Sequence, residues 1–179
     1  MPLFYPTIRK HRITAVTAAD LHALGVKGLL LDVDNTLTRY KSQELDPAVR
    51  AWIDQMQREG FALTIVSNGL PKRVRPFAAK IGLRCIAFAC KPSPVGYIRG
   101  ARRLGLRCRE CVIIGDQMFT DVVGANLCGM RSIMLDPIEL EQGKPTIQLK
   151  RKCERWMLAR RYPVEQEESH ESLIRPRRK

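Results

Sequence analysis

Seven polar side chains of this sequence share one property, because each lies at or just beyond the end of a short apolar run. They are Asp32, Asp34, Ser67, Asn68, Lys91, Asp116 and Asp121. Phosphoryl transfer to an aspartate needs a carboxylate nucleophile, a second acid for the leaving oxygen, a divalent cation and donors for the phosphoryl oxygens. If the four run ends meet in space, this set supplies every part of that chemistry.

The aspartates can divide this work between them. Asp32 and Asp34 are two residues apart where the chain leaves a run, so one can attack while the other reaches the leaving group. A site made by Asp32, Asp116 and Asp121 offers only hard oxygen ligands, which suits Mg²⁺. Ser67, Asn68 and Lys91 are the candidates for binding the substrate phosphate.

Five buried strands alternate with helices in the predicted order of elements. The apolar runs predict strands over residues 27–33, 61–66, 85–88, 111–116 and 131–135. Helical spacing and Pro or Gly boundaries predict helices over about 47–60, 71–82, 94–104 and 119–127. This alternation predicts an α/β fold with a doubly wound, Rossmann-like parallel sheet of five strands. Ligands of such sheets bind beyond the carboxyl ends of the strands, where the seven residues lie.

Composition divides the rest of the chain. Residues 1–26 are interpreted as a basic N-terminal segment and 27–144 as the catalytic domain. Residues 145–162 place Trp156 and other apolar side chains on one helical face among many cations, which predicts a basic amphipathic helix. Residues 163–179 are too poor in apolar side chains to pack, so this tail is expected to be disordered.

The polar residues also form motifs that resemble those of a known family. The D-x-D-N-T at 32–36, Ser67, Lys91 and the G-D-Q-x-x-T-D at 115–121 look like the four motifs of the haloacid dehalogenase (HAD) superfamily, in order and on the expected strands. The resemblance covers residues 27–135. In spacing, small size and basic ends the chain is most similar to the YqeG group of subclass IIIA phosphatases, which is related to mitochondrial phosphatidylglycerophosphate phosphatases.

This resemblance implies a role for each motif residue. It implies that Asp32 is the nucleophile that forms an aspartyl phosphate and that Asp34 is the general acid and then the base. Ser67 would donate to a phosphoryl oxygen, and Lys91 would pair with the phosphate and the nucleophile. Mg²⁺ would be held by Asp116, by Asp32 and by the main-chain carbonyl of Asp34. Asp121 lies one residue further along than in the usual G-D-x-x-x-D form, so its contact with the metal could be direct or through water.

The short intervals between motifs imply a capless enzyme. In the HAD family, cap domains are inserted at 37–63 or 68–91, and here each interval has room for one helix. An open site favours a substrate that supplies its own cover, such as a macromolecule or a lipid head group. The first hypothesis is therefore a magnesium-dependent phosphomonoesterase acting on an anionic lipid, with phosphatidylglycerophosphate as the candidate that the resemblance implies.

Two alternatives remain open from the residues. The chain has 31 Lys and Arg against 18 Asp and Glu, a formal charge of +13, which favours anionic partners in general. A polynucleotide or phosphoprotein phosphatase would share the chemistry. A non-catalytic nucleic-acid or ribosome-associated protein would use only the charge, although aromatic residues make up just 6% of the chain.

Hydropathy predicts the cellular location of the protein. No apolar run approaches the roughly 18 residues needed to span a bilayer, and residues 1–12 lack the apolar stretch of a secretion signal. We therefore expect a cytoplasmic protein, with a peripheral position on the inner membrane face if the substrate is a lipid.

Overall fold

Residues 3–139 are described by a computed structural model, and they form a six-stranded parallel sheet with helices on both faces. The strands are β1 (Ile8–Lys10), β2 (Gly28–Leu31), β3 (Ala62–Val66), β4 (Arg84–Ile86), β5 (Cys111–Gly115) and β6 (Arg131–Leu135), and they lie in the order β1-β6-β5-β2-β3-β4. The helices are α1 (Ala18–Ala23), α2 (Pro47–Arg58), α3 (Pro71–Lys80), α4 (Pro94–Arg103) and α5 (Val123–Leu127), the last preceded by a π-helical turn, Met118–Val122.

The central strands are buried on both faces, which explains their continuous apolar runs. Leu29 and Leu31 of β2 pack with side chains of α1, α2 and α3, whereas Leu30 packs on the opposite face with Tyr97 and Ala101 of α4. Alternate residues of one strand therefore serve two separate cores. The doubly wound α/β fold predicted from the sequence is confirmed.

Proline begins each of the three longer helices that connect the site-bearing strands. Pro47, Pro71 and Pro94 occupy the first helical position, where the missing N–H costs no hydrogen bond. In α2 the preceding Asp46 also caps the helix through its side chain. The start of α3 directly after residues 67–70 keeps the loop that carries Ser67 and Asn68 short.

The prediction of five strands is wrong by one, because the N-terminal basic segment supplies β1. Its three residues pair with Ile133–Leu135 of β6 at the edge of the sheet. Arg9 and His11 both bond the carboxylate of Asp136, each at 2.7 Å. A three-residue strand among cations has neither the length nor the apolar content that the sequence pattern requires, and only pairing with β6 creates it.

Other predictions for the ends of the chain lie outside the described residues. These are the basic amphipathic helix over 145–162 and the disordered tail over 163–179. Within residues 3–139, none of the helices combines the length and hydropathy needed to cross a bilayer.

Candidate active site

Four adjacent strands deliver the predicted site residues to one edge of the sheet. Asp116 follows β5, Asp32 follows β2, Ser67 follows β3, and Lys91 lies in the loop after β4. These strands are consecutive in the order β5-β2-β3-β4, and all are parallel. The sheet therefore brings together residues that are up to 89 positions apart in sequence, from Asp32 to Asp121.

Lys91 is the centre of a buried ion-pair cluster. Its Nζ donates to Oδ1 of Asp32 and to Oδ1 of Asp121, both at 2.6 Å. The side chain of Lys91 is 3% exposed, and those of the two aspartates are 7% and 2% exposed. Charges held this far from water interact strongly, so the lysine fixes both carboxylates in place.

Three carboxylates converge beside this lysine. Asp32, Asp116 and Asp121 each offer one oxygen, and these oxygens all lie within 4.8 Å of one another. One lysine does not balance three negative charges at this separation. A buried set of carboxylate oxygens with an excess of negative charge is a donor set suited to a hard divalent cation such as Mg²⁺.

The π-helical turn explains how Asp121 reaches the cluster despite its unusual spacing. Both Asp121 and Val122 donate their N–H groups to the carbonyl of Gln117, at 2.8 and 3.4 Å. Such a turn accommodates one residue more than an α-helical turn, and π turns often occur at functional sites. The extra residue between Asp116 and Asp121 is thus absorbed by the backbone, and the carboxylate of Asp121 still meets Lys91.

Gly115, the last residue of β5, is required by this arrangement. A Cβ atom at this position would overlap the carboxylate of Asp121. Any larger side chain would therefore push Asp121 away from Lys91. This steric conflict explains why the first position of the G-D motif is a glycine.

Burial and neighbouring charges shift the proton affinities at the centre of the site. Burial raises the pKa of Asp32 to about 6, with Lys91 opposing the shift and Asp121 and Asp34 adding to it. Burial alone would lower the pKa of Lys91, but the charges of Asp121 and Asp32 outweigh it and hold that pKa above its ordinary value. The lysine therefore stays protonated at neutral pH.

Asp34 is held by a residue that the sequence analysis did not single out. The two terminal guanidinium nitrogens of Arg73, on α3, each donate to one carboxylate oxygen of Asp34, with Nη1 2.9 Å from Oδ1. The backbone N–H of Lys41 adds a third bond to Oδ1, at 2.8 Å. No local motif marks Arg73, because one arginine in a basic helix looks like a solvated charge until the fold places it opposite Asp34.

Ser67 and Asn68 occupy the loop after β3. The Asn68 side-chain amide donates to the carbonyl of Lys91 and accepts from its N–H, at 3.0 and 2.6 Å. This two-point contact positions the backbone of the catalytic lysine candidate. The Ser67 hydroxyl is buried and accepts a bond from the N–H of Gly69. The phosphate contacts expected of Ser67 and Asn68 stay predictions.

Sequence similarity identifies the family. A profile of the HAD-hydrolase-like family matches residues 88–136. The chain is 34% identical over 156 residues to the probable phosphatase YqeG of Bacillus subtilis, and the match covers 87% of this chain and 90% of that protein. The chain belongs to the YqeG group of HAD phosphatases. Its catalytic class, a phosphatase, follows from that membership.

More distant relatives of this HAD phosphatase agree with the assignment. Phosphatidylglycerophosphate phosphatase 1 of Arabidopsis thaliana is 27% identical over 146 residues, which is 76% of this chain but 42% of that protein. Among solved structures, an uncharacterized Listeria monocytogenes protein superimposes with a TM-score of 0.54 at 18% identity, covering 66% of this chain and 85% of the other. NagD from Escherichia coli has a TM-score of 0.53 at 11% identity, covering 68% and 94%. These two structural matches support the fold.

Proposed function

We propose that this HAD phosphatase is a magnesium-dependent phosphomonoesterase that works through an aspartyl-phosphate intermediate on a membrane-bound phosphate such as phosphatidylglycerophosphate. The observation that carries the chemical part is the buried contact of Lys91 with Asp32, 2.6 Å from Nζ to Oδ1, beside two further carboxylates. A carboxylate held rigidly by a buried cation, at the open edge of a parallel sheet, is arranged for nucleophilic attack on phosphorus.

Two carboxylates carry out the proposed reaction. An oxygen of Asp32 attacks the phosphorus atom, and the bond from phosphorus to the leaving oxygen breaks while Asp34 gives that oxygen a proton. Asp34 then takes a proton from water, whose oxygen attacks the phosphorus and releases inorganic phosphate and free Asp32. Each proton that Asp34 gives in the first step is recovered in the second, so the enzyme returns to its initial state.

The remaining residues support these two steps. Lys91 stays charged and stabilises the negative charge that develops on the phosphoryl oxygens, while Ser67 donates to one of them. Mg²⁺ held by Asp32, Asp116, Asp121 and the carbonyl of Asp34 would supply the positive charge that lets an anionic nucleophile approach an anionic substrate. Arg73 fixes the orientation of Asp34 by its two-point contact.

The open site supports a substrate that is large or held at a membrane. The chain has 15 residues, 32–46, between β2 and α2, and 4 residues, 67–70, between β3 and α3. Neither connection has room for a cap domain. Two of the relatives, from Arabidopsis thaliana and Chlamydomonas reinhardtii, are named phosphatidylglycerophosphate phosphatases, which favours this lipid over other large phosphates.

The proposal is tested with the parent protein and with Asp32→Asn, assayed against phosphatidylglycerophosphate, a 5′-phosphorylated oligonucleotide, a phosphopeptide and a sugar phosphate. We expect the parent to prefer the lipid and to lose activity in excess chelator. The amide of Asn has the volume of the carboxylate but is a poor nucleophile, so Asp32→Asn should lose about a thousandfold or more in kcat.

Trapping the intermediate separates the two halves of the proposal. Rapid quenching during turnover, followed by borohydride reduction and peptide mass analysis, should mark Asp32 in the parent protein. Label on another residue would refute the assignment of the nucleophile. Preference for the oligonucleotide or phosphopeptide would leave the chemistry in place and replace the lipid with the corresponding macromolecule.

A further inference from the structure

Three large apolar side chains are exposed on the neighbouring loops and helix starts that surround the site. Leu70, Phe88 and Val95 are 52%, 60% and 57% exposed, and we refer to them as the apolar rim. Their segments touch, since Phe88 N–H donates to the carbonyl of Gly69, next to Leu70, at 3.0 Å. Gly96, next to Val95, packs so closely on the segment after Phe88 that a Cβ would come within 2.6 Å of the carbonyl of Ala89.

The apolar rim belongs to the loops that carry the catalytic residues. Leu70 ends the loop that begins with Ser67, and Phe88 precedes Lys91 by three residues. Asn68 bonds the backbone of Lys91 across the two loops. A partner that covers the rim is therefore brought directly to the opening of the site.

Local backbone preferences at all three positions favour polar residues. Leu70 is the N-cap of α3, where Ser, Thr, Asp or Asn would bond the free N–H groups. Phe88 has φ +50, a left-handed conformation that favours Gly or Asn. Val95 lies in the first turn of α4, where acidic residues are stabilising. The exposed apolar surface is thus kept against the preference of the local fold.

The segment that carries the rim has no acidic residue of its own. Residues 60–109, which contain β3, α3, β4 and α4, include eleven Lys and Arg but no Asp or Glu. Lys72 lies two residues beyond Leu70, and Arg99 lies one helical turn beyond Val95. Arg75 and Arg99 also line one cleft beside β4 with Arg84 and Arg103. Although Arg73 and Lys91 are paired with carboxylates of the site, the segment keeps an excess of cations. Apolar side chains beside an excess of cations match the interface of an anionic bilayer, where apolar groups enter and cations face lipid phosphates.

We propose that the apolar rim and the surrounding cations of residues 60–109 dock this phosphatase on anionic lipid bilayers, with the active site facing the membrane. The surface delivers the enzyme to the lipid substrate of the proposed function. Nucleic acid would use the cations and would stack a base on Phe88, but the other two exposed side chains, Leu70 and Val95, are aliphatic and offer no stacking surface, which favours a bilayer.

The test measures binding of the full chain to vesicles of phosphatidylglycerol with phosphatidylcholine, and to phosphatidylcholine alone. The triple variant Leu70→Ser, Phe88→Asn, Val95→Ser should reduce partitioning to the anionic vesicles by about tenfold or more, because each side chain loses apolar burial in the membrane. The triple variant should fold, because each new residue suits the local backbone. Its Tm in thermal unfolding should equal or exceed that of the parent.

A matched control removes apolar surface elsewhere. Leu127 is 54% exposed at the end of α5. The chain there leads into the start of β6, at the amino ends of the strands and so on the side of the sheet opposite the site. Leu127→Ser should leave vesicle binding unchanged. Equal binding by the triple variant and the parent would overturn the proposal, as would equal losses in the triple variant and in Leu127→Ser.

Charge is tested by a second matched pair. The double variant Lys72→Gln, Arg99→Gln should weaken binding at low salt, whereas Arg50→Gln, Arg58→Gln, with the same charge change on α2, should have little effect. Equal effects of the two double variants would overturn the docking surface. Salt-sensitive binding of the parent to single-stranded RNA without binding to vesicles would also overturn it and assign the basic surface to nucleic acid.

Turnover separates this proposal from the proposed function. Hydrolysis of a detergent-dispersed lipid phosphate without vesicle binding would refute the docking surface and leave the substrate in place. Rim-dependent vesicle binding without hydrolysis of any lipid phosphate would support the docking surface and refute the substrate. Both the docking surface and the lipid substrate would be supported if the triple variant retained activity on the dispersed lipid but lost activity on vesicles.

Discussion

The raised pKa of Asp32 predicts that this site destabilises the metal-free fold as the pH rises. The carboxyl has an ordinary pKa of 3.8 in the unfolded chain and a pKa of about 6 in the folded protein. Below about pH 4 both states bind the proton, and above about pH 6 neither state does. Between these values the folded state binds the proton more tightly, so the contribution of Asp32 to stability falls as the pH rises.

The size of this effect follows from the two pKa values. Their difference corresponds to about 3 kcal/mol of unfolding free energy, lost between about pH 4 and pH 6. For a chain of this length 1 kcal/mol shifts Tm by about 2–4 °C, so the change is about 6–12 °C. A bound divalent cation offsets the carboxylate charge, and at a hundred times its Kd it would restore about 2.7 kcal/mol.

The assay is thermal unfolding of the parent and of Asp32→Asn at several values between pH 4 and pH 8, in chelator and then in excess Mg²⁺. Other carboxylates titrate in both proteins, so the difference between the two curves isolates Asp32. We expect the Tm of the parent to fall relative to that of Asp32→Asn as the pH rises from about 4 to about 6, to change no further above that range, and to be restored by Mg²⁺. Parallel curves in chelator would refute the argument that burial raises the pKa of Asp32.

Four further predictions concern other parts of the molecule. Arg73→Met should lower kcat about tenfold or more with little change in KM, and Arg73→Lys should not restore it, because a lysine lacks the two-point contact with Asp34. Ca²⁺ should fail to replace Mg²⁺ in activity assays, since it takes more ligands at longer distances. Gly115→Ala should weaken Mg²⁺ binding, measured by calorimetry, because the new Cβ displaces a ligand. Burial raises the pKa of the Cys111 thiol to about 12, so timed alkylation at pH 8 should label exposed Cys90 about a hundredfold faster.

Much of the fold could be predicted from the sequence because its signals are local. The strands from β2 to β6 coincide with or overlap apolar runs, and Pro47, Pro71 and Pro94 mark the starts of three helices. The strand β1 could not be predicted, since three residues among cations become a strand only through pairing with β6. The count of strands therefore depended on a contact that spans more than 120 residues of sequence.

For the site, the sequence by itself determined which chemical groups stand at the ends of the strands, because those groups follow apolar runs at recognisable spacing. Only the tertiary structure decided how these groups pair. Lys91 selects Asp32 and Asp121, a π-helical turn absorbs the extra residue before Asp121, and Arg73 holds Asp34 from a neighbouring helix. Spacing along a chain reports the local direction of a side chain, whereas ion pairing depends on distances between separate strands and helices, and these are set when the sheet and its two cores pack together.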